Sequence, residues 1–308
     1  MTITRQAAPA APVATAKLGG PSDRKWAAIF VSPAVLIMTA FMLVPILLTL
    51  WISLHEWSML TPIGDMTWRG LGNYADLIGD PAFRGSMRNT IVYVLLVVAL
   101  TVPLAVLLGL LLYFPRVGGK GAVRTALFAT YVIPTVAIAM VWGALYAPTY
   151  GPFDQILGWF GISGVGWLSS PSTALISLVI FHVWQMVGYY TVLVVAGLTQ
   201  IPGDLYEVAR VDGAGFWRQT VSITLPMLGR TMTFIVLVAV VNAVQVFDPI
   251  YILTQGGPAG STDIVSFSIQ RAAFQYGLAG QASAMAFSLF IVMIAVVAAI
   301  MAAMRRRR

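Results

Sequence analysis

The sequence predicts an all-α integral membrane protein with six transmembrane helices. Three observations support this fold class: 59% of the 308 residues are apolar, only 9% are charged, and the charges cluster between long uncharged runs. Soluble domains carry about a quarter charged residues. Segregation of charge into short connections therefore indicates several membrane spans instead of one buried core.

Each predicted span is long enough to cross the hydrocarbon core as a helix. This takes about 20 apolar residues, because every backbone polar group must find a partner without water. The six stretches are residues 27–53, 90–113, 126–145, 174–198, 231–247 and 278–304. The fifth is the shortest, and we expect it to extend past Asp248.

Basic residues are unequally divided between the two sides of the membrane. Fourteen lie on the side of the termini and four on the other. The fourteen are Arg5, Lys17, Arg24, Lys25, Arg116, Lys120, Arg124, Arg210, Arg218, Arg230 and residues 305–308; the four are Arg69, Arg84, Arg88 and Arg271. Since basic residues are retained in the cytoplasm during insertion, both termini are predicted to be cytoplasmic.

The two ends of the chain are expected to flank one membrane domain. Residues 1–25 are rich in Ala and Pro and lack the apolar core of about 7–15 residues that a signal peptide needs. We expect them to form a disordered cytoplasmic tail, with residues 26–304 as the transmembrane domain and 305–308 as a basic cytoplasmic tail. In the external connections, residues 74–88 are predicted as a short interfacial helix or an ordered loop, and residues 254–262 as a loop.

Several classes of function are excluded by what the sequence lacks. The chain has no cysteine, which removes disulfides, thiolate nucleophiles and cysteine-ligated metals. It has no G-x-x-x-x-G-K-[ST] segment, so it cannot hydrolyse ATP alone. Its two histidines give no catalytic or metal constellation. The net charge of +7 comes from residues at the ends of apolar runs, so nucleic-acid binding is not expected.

The cytoplasmic loop of residues 200–230 has more structure than a connector needs. Asp204 and Glu207 resemble a capping box at a helix start, and Gly213 favours a left-handed helix end. A second helical segment is predicted over 216–224. This half-apolar projection suits docking of a soluble partner. Alternatively, Glu207 only caps the helix and the apolar residues pack on the membrane ends of neighbouring helices.

This loop resembles the cytoplasmic signature of ABC-importer permeases: Glu-Ala-Ala, three residues, Gly, nine residues, Ile, one residue, Leu-Pro. The matching residues are Glu207, Ala209, Gly213, Ile223, Leu225 and Pro226, with Val208 in place of the first alanine. The resemblance implies a type I ABC importer permease fold in the cytoplasmic (inner) membrane. It also implies that these residues, with Asp212, couple the chain to an ATPase subunit.

The rest of the chain resembles the carbohydrate-uptake branch of that family, of the maltose and glycerol-3-phosphate type. The similar segments are GLGNY at 70–74, Asn89 with Thr90, YGPF at 150–153 and VFDPIYILTQGGP at 246–258. The resemblance implies a second permease subunit, two ATPase subunits that bind ATP and Mg, and an extracytoplasmic solute-binding protein. No cofactor is expected on this chain itself.

Polar residues within the spans are candidates for a solute path, because such groups are costly in lipid and usually face a cavity or another helix. The candidates are Gln185, Tyr189, Tyr190, Asn242, Gln245 and Asp248. Amides and carboxylates exchange hydrogen bonds with hydroxyl groups, and aromatic faces cover sugar rings. Alternatively, these groups bond only between helices. His182 is a candidate proton relay or a packing residue.

Two other classes of membrane protein remain open from the residues alone. A secondary transporter also places polar groups at mid-membrane and needs no ATPase, although such transporters usually carry charged residues on broken helices. A scaffold subunit without transport activity would dock a cytoplasmic partner as well.

Overall fold

Helices make up most of the described chain. The computed structural model describes residues 21–113, 118–162 and 164–305. Predicted tail residues 1–20, Arg116 and the last three arginines lie outside the described residues.

The helices are numbered in chain order. They are α1 (Pro21–Met38), α2 (Val44–Ser53), α3 (Gly72–Gly79), α4 (Pro81–Tyr113), α5 (Lys120–Val132), α6 (Thr135–Leu145), α7 (Pro152–Gly158), α8 (Ala174–Leu198), α9 (Gly203–Val211), α10 (Phe216–Gln219), α11 (Leu225–Met227), α12 (Gly229–Val244), α13 (Asp248–Leu253), α14 (Val265–Gln270) and α15 (Ala279–Arg305). Wider π-helical turns, Thr39–Leu43, Thr220–Thr224 and Arg271–Gln275, continue α1, α10 and α14. A two-residue antiparallel pair joins β1 (His55–Glu56) to β2 (Thr67–Trp68), with His55 opposite Trp68.

The chain divides into two units between Leu48 and Thr49. In the first unit, the described residues are helical and their large apolar side chains are exposed from Trp26 to Val44. The second unit, from Thr49 onward, contains the buried core and the connections discussed below.

The described residues contain five helical stretches long and apolar enough to cross a membrane, and a bent pair that makes a sixth if it is counted as one span. The five are Lys25–Ser53, Pro81–Tyr113, Ala174–Leu198, Gly229–Leu253 and Ala279–Met304. The predicted extension of the fifth span past Asp248 is confirmed.

The third predicted span, residues 126–145, is wrong as a single straight helix. It is built from α5 and α6, which are bent by 99° at the break between them. Proline disfavours helical geometry in the residue before it, and Ile133, before Pro134, is extended with ψ 133°. The stretch is apolar enough to be a membrane span, but Pro134 ends α5 and allows α6 to begin directly after it.

The second span begins earlier than its apolar composition predicted. Helix α4 starts at Pro81 instead of residue 90, and α3 precedes it. Residues 74–88, predicted as one interfacial helix or an ordered loop, are therefore part of α3, a break at Asp80, and the first turns of α4. The first turns of α4 contain polar residues, so a hydropathy criterion does not assign them to the span.

Helix α8 lies at the centre of the second unit, against α4, α5 and α12. Tyr190 and Leu198 are fully buried in its core cluster. Glycines allow its neighbours to approach closely: a Cβ on Gly188 would lie 1.8 Å from the backbone oxygen of Leu127 in α5, and one on Gly109 of α4 would lie 2.5 Å from a side-chain carbon of Val194. Backbone contact between α5 and α8 thus depends on Gly188.

We expect Gly188→Ala to destabilise the protein, because the added methyl group would clash with backbone that cannot move aside alone. Overpacking of a close-packed core costs about 1–3 kcal/mol. The matched control is Gly85→Ala in α4, where the new Cβ has nothing within 4 Å. The measurement is the thermal midpoint of the detergent-solubilised protein, followed by size-exclusion chromatography. Equal midpoints for the two variants would contradict a backbone contact at Gly188.

Candidate functional site

A break in the fifth span opens one side of a cavity. Helix α12 ends at Val244, residues 245–247 leave helical geometry, and α13 begins at Asp248 with Pro249 in its first turn. The last carbonyl groups of a helix have no partner within it. A carbonyl of the break itself is satisfied from another segment, because the Ser266 hydroxyl donates to the backbone oxygen of Val246.

The cavity has a volume of about 250 Å³. This is near the lower end of the roughly 300–1,000 Å³ typical of small-molecule sites. Its lining includes six polar side chains, and Met186, Val246, Phe247 and Pro249 complete it. The six are Thr135, His182, Gln185, Asn242, Gln245 and Asp248. Among these described lining residues, Asp248 is the only Asp, Glu, Lys or Arg.

Thr135 reaches the cavity because the third span is broken. It is the first residue of α6, directly after Pro134, and its hydroxyl oxygen accepts a hydrogen bond from Gln185 Nε2 at 3.0 Å. Sequence reasoning missed Thr135, although the Ile133–Pro134 pair was a usable signal for the break.

Four of the six predicted solute-path residues lie together on the cavity, and the two tyrosines do not. Tyr190 is buried, and its hydroxyl accepts a hydrogen bond from Asn242 Nδ2 at 3.1 Å. Tyr189 stacks on Tyr131 of α5, with ring centroids 4.6 Å apart and planes 20° apart. These tyrosines orient or support the lining and do not form part of it.

His182 is a cavity residue that the sequence left unassigned between proton relay and packing. Its Nδ1 lies 3.1 Å from the Tyr93 hydroxyl in α4. Its Nε2 is buried and makes no hydrogen bond to a described residue. One ring nitrogen is thus held by the core, while the other has no partner among the described residues.

The loop of residues 200–230 contains both predicted helices, α9 and α10. The first ends as predicted, because Gly213 has the left-handed φ of 74°, which glycine adopts at little cost. The predicted capping box is wrong: Pro202 precedes the first turn with φ −58° and ψ 130°, and no side chain caps it. The proline sets the helix start, so Asp204 already lies within the first turn.

Glu207 pairs only weakly with its own helix. Its Oε1 lies 3.9 Å from Arg210 Nη2, and the two side chains are 73% and 65% exposed, so this pair contributes little to stability. Asp212, Gly213, Leu225 and Pro226 are also exposed, whereas Ala209 and Ile223 are half-buried. Most of the signature residues therefore lie on the protein surface, and none of them is fully buried.

Large apolar side chains on the same loop are also exposed. Val208 and Val211 project from α9, and Trp217 from α10, with exposed fractions of 62%, 88% and 76%. Within the loop, α9 is fastened to the segment that leads into α12 by a bond between the hydroxyls of Tyr206 and Thr224, 3.0 Å apart. An apolar surface on an anchored helix pair is typical of a docking site.

Comparison with known proteins identifies the family. The family described as binding-protein-dependent transport system inner membrane component matches residues 75–308. The chain belongs to this family.

Relatives of this inner membrane component cover most of its length. The trehalose/maltose transport system permease protein MalF of Thermococcus litoralis is 34% identical over 244 residues, 79% of this chain and 82% of that protein. The lactose transport system permease protein LacF of Rhizobium radiobacter is 31% identical, over 80% of this chain and 83% of that protein. The trehalose transport system permease protein SugA of Mycobacterium tuberculosis is also 31% identical, over 86% and 85%.

The family fold is also found in solved structures. A chain of a bacterial ABC transporter that imports the acidic polysaccharide alginate superposes with a TM-score of 0.79 and 23% identity, over 92% of this chain and 96% of that chain. A second structure, of an alginate transporter in complex with its alginate pentasaccharide-bound periplasmic protein, gives 0.78 and 22%, over 90% and 93%. These similarities concern the fold.

Two asparagines in the short motifs of this inner membrane component tie together the connections between its helices. Asn73 Nδ2 donates to the backbone oxygens of Ser53 and His55, at 2.8 and 2.9 Å. Asn89 Nδ2 donates to the backbone oxygens of Gly260 and Asp263, at 2.9 and 3.0 Å. The two asparagine side chains thus supply the hydrogen bonds that these backbone carbonyls would otherwise take from water. This structural role accounts for both motifs without a role in solute binding.

We expect the hydrogen bond between Gln185 and Thr135 to contribute to the stability of the protein. A double-mutant cycle measures this contribution. Gln185→Leu and Thr135→Val each remove one partner of their hydrogen bond, and the double variant removes both. An interhelical hydrogen bond in a membrane contributes about 0.6 kcal/mol on average, so the two losses in free energy of unfolding are expected to be non-additive by about that amount. The measurement is unfolding by sodium dodecyl sulfate in mixed micelles. Strictly additive losses would show that the two side chains act independently.

Proposed function

We propose that this chain is one permease half of an ATP-driven importer that carries a sugar or sugar-like solute inward by alternating access. The observation that carries the proposal is the match to the inner membrane component family together with a polar cavity between broken spans. Four of the six polar lining side chains carry amides or a hydroxyl, and such groups suit the hydroxyls of a saccharide.

The sugar assignment draws on the relatives and on the cavity chemistry. Three relatives are named for trehalose, maltose or lactose transport. The lining includes the aromatic side chain of Phe247 and the amides of Gln185 and Asn242. A ring with hydroxyl edges and an apolar face complements both.

The proposed topology has six spans, with the bent pair α5 and α6 as the third. Both termini are then cytoplasmic, as the excess of basic residues on their side favours. The proposed domains are a tail of residues 1–25, a transmembrane domain of 26–304 with the coupling loop 200–230, and a basic tail of 305–308. The chain would reside in the cytoplasmic membrane in contact with lipid.

ATP hydrolysis is assigned to partner subunits. We propose two ATPase subunits that bind ATP and Mg, a second permease that forms a heterodimer with this chain, and an extracytoplasmic solute-binding protein. The α9 helix would dock in a groove of an ATPase subunit through Glu207, Ala209 and its exposed apolar residues. Gly213 would permit the turn, and Asp212, Ile223, Leu225 and Pro226 would connect the docked helix to α12.

Closure of the ATPase pair would then move α12. This helix starts just after the loop and ends at the cavity, so displacement of its cytoplasmic end is transmitted to Asn242 and Gln245. The alternative of a secondary transporter has no use for an exposed apolar loop in the cytoplasm. A scaffold subunit is distinguished by the absence of solute accumulation in a reconstituted complex.

We expect the tagged wild-type chain, purified from its native membrane, to co-purify with an ATPase, a second permease and a solute-binding protein. We expect the Val211→Asp variant to co-purify without the ATPase. Val211 is 88% exposed, so the charge should leave the fold intact while it opposes burial against a partner. The matched control is Leu60→Asp, at an 86% exposed residue of the external connection.

The measurements are the stoichiometry of co-purified subunits and the ATPase activity of the purified complex. Full recovery of the ATPase with Val211→Asp would contradict docking through α9. Recovery of the chain alone, active in uptake without ATP, would instead support a secondary transporter.

We expect a single cysteine at residue 60 to react with a membrane-impermeant maleimide in intact spheroplasts, and one at residue 121 to react only after permeabilisation. The wild-type chain has no cysteine, so the background is clean, and both Leu60 and Gly121 are exposed. The reverse pattern of labelling would contradict cytoplasmic termini.

A further inference from the structure

His182 offers the cavity a buried polar atom that the protein itself leaves without a partner. Its side chain lies among the cavity-lining residues and is 3% exposed. Among the described residues, none bonds its Nε2. Buried polar atoms in proteins are almost always hydrogen-bonded. An exception that lines a cavity is therefore a place where a bound molecule completes the bond.

Tyr93 decides which ring nitrogen of His182 carries the proton. The tyrosine is fully buried, and its hydroxyl lies 3.1 Å from Nδ1, with the two rings edge-on at 85°. If Nδ1–H donated to this hydroxyl, the tyrosine proton would need another acceptor, and the described residues provide none. Tyr93 therefore donates to Nδ1, and the neutral ring carries its proton on Nε2.

The residues that line the cavity thus include a hydrogen-bond donor, whose tautomer is set by Tyr93, and an acceptor. The donor is His182 Nε2–H, and the acceptor is the Asp248 carboxylate. A sugar hydroxyl can serve either group, because its oxygen accepts and its hydrogen donates. A carboxylate or phosphate on the solute would instead meet Asp248 without a basic side chain among the described lining residues to balance the repulsion.

We propose that His182 is a specificity-determining residue whose Nε2–H donates to a hydroxyl oxygen of the solute, and that His182 and Asp248 together select a neutral saccharide over an acidic one. This inference rests on the proposed function, because it takes the cavity as the solute path. Tyr93 is a positioning residue that holds the imidazole in the donating tautomer.

The test compares three conservative variants in cells that lack the chromosomal copy of this chain. His182→Phe keeps a flat ring and removes the donor, His182→Gln restores an N–H group near the position of Nε2, and Tyr93→Phe removes only the group that fixes the tautomer. The probes are radiolabelled trehalose, maltose, lactose and an alginate oligosaccharide, and both uptake and ATP hydrolysis of the purified complex are measured.

For a neutral sugar that the wild type carries, His182→Phe is expected to reduce uptake about three- to tenfold, the effect of one lost hydrogen bond. His182→Gln should remain within about threefold of the wild type, and Tyr93→Phe should be intermediate. Uptake is expressed per assembled complex and per ATP hydrolysed, and the expected loss is in the amount of sugar carried per ATP.

Three results would overturn the inference. Wild-type uptake by His182→Phe would show that no solute bond is made there, and equal losses in His182→Phe and His182→Gln would indicate a packing role. Preferential uptake of the alginate oligosaccharide by the wild type would contradict selection of neutral solutes. Failure of the wild type to take up any probe would overturn the proposed sugar import, and this inference with it.

Discussion

Backbone hydrogen bonding in the absence of water is the constraint on which the membrane part of this protein depends. Within the hydrocarbon core each N–H and C=O group must bond inside the protein, so irregular backbone is tolerated only where it is buried or lines a cavity. The breaks at Pro134 and at residues 245–247 both border the same cavity. One carbonyl that has no partner within a helix is satisfied in this way, because the Ser266 hydroxyl donates to the backbone oxygen of Val246.

Close packing around α8 brings the polar groups of different spans together. Gly188 lets the backbone of α5 approach α8, and the α5–α6 break then places Thr135 at 3.0 Å from Gln185 Nε2. His182 lies about one helical turn from Gln185 on the same face. A larger residue at Gly188 would move α5 outward, so a close backbone contact outside the cavity supports the polar lining.

The loop of residues 200–230 and the cavity are connected by one rigid element. Helix α12 has 16 residues, which corresponds to a length of about 24 Å, and it runs from the end of the loop to Asn242 and Gln245. The bond between Tyr206 and Thr224 fastens α9 to the segment that leads into this helix. These contacts give the proposed coupling a physical route from a docked α9 to the cavity.

The sequence by itself determined the membrane class, most of the spans, the helical loop with its end at Gly213, and the family. These features follow from local composition, charge position and glycine geometry, which need no knowledge of neighbours. Only the tertiary structure decided that Tyr189 and Tyr190 lie outside the cavity lining while His182 and Thr135 belong to it. The rotation of a helix about its axis is set by packing against other helices, and in a span that is apolar almost all round the hydropathy pattern does not specify it.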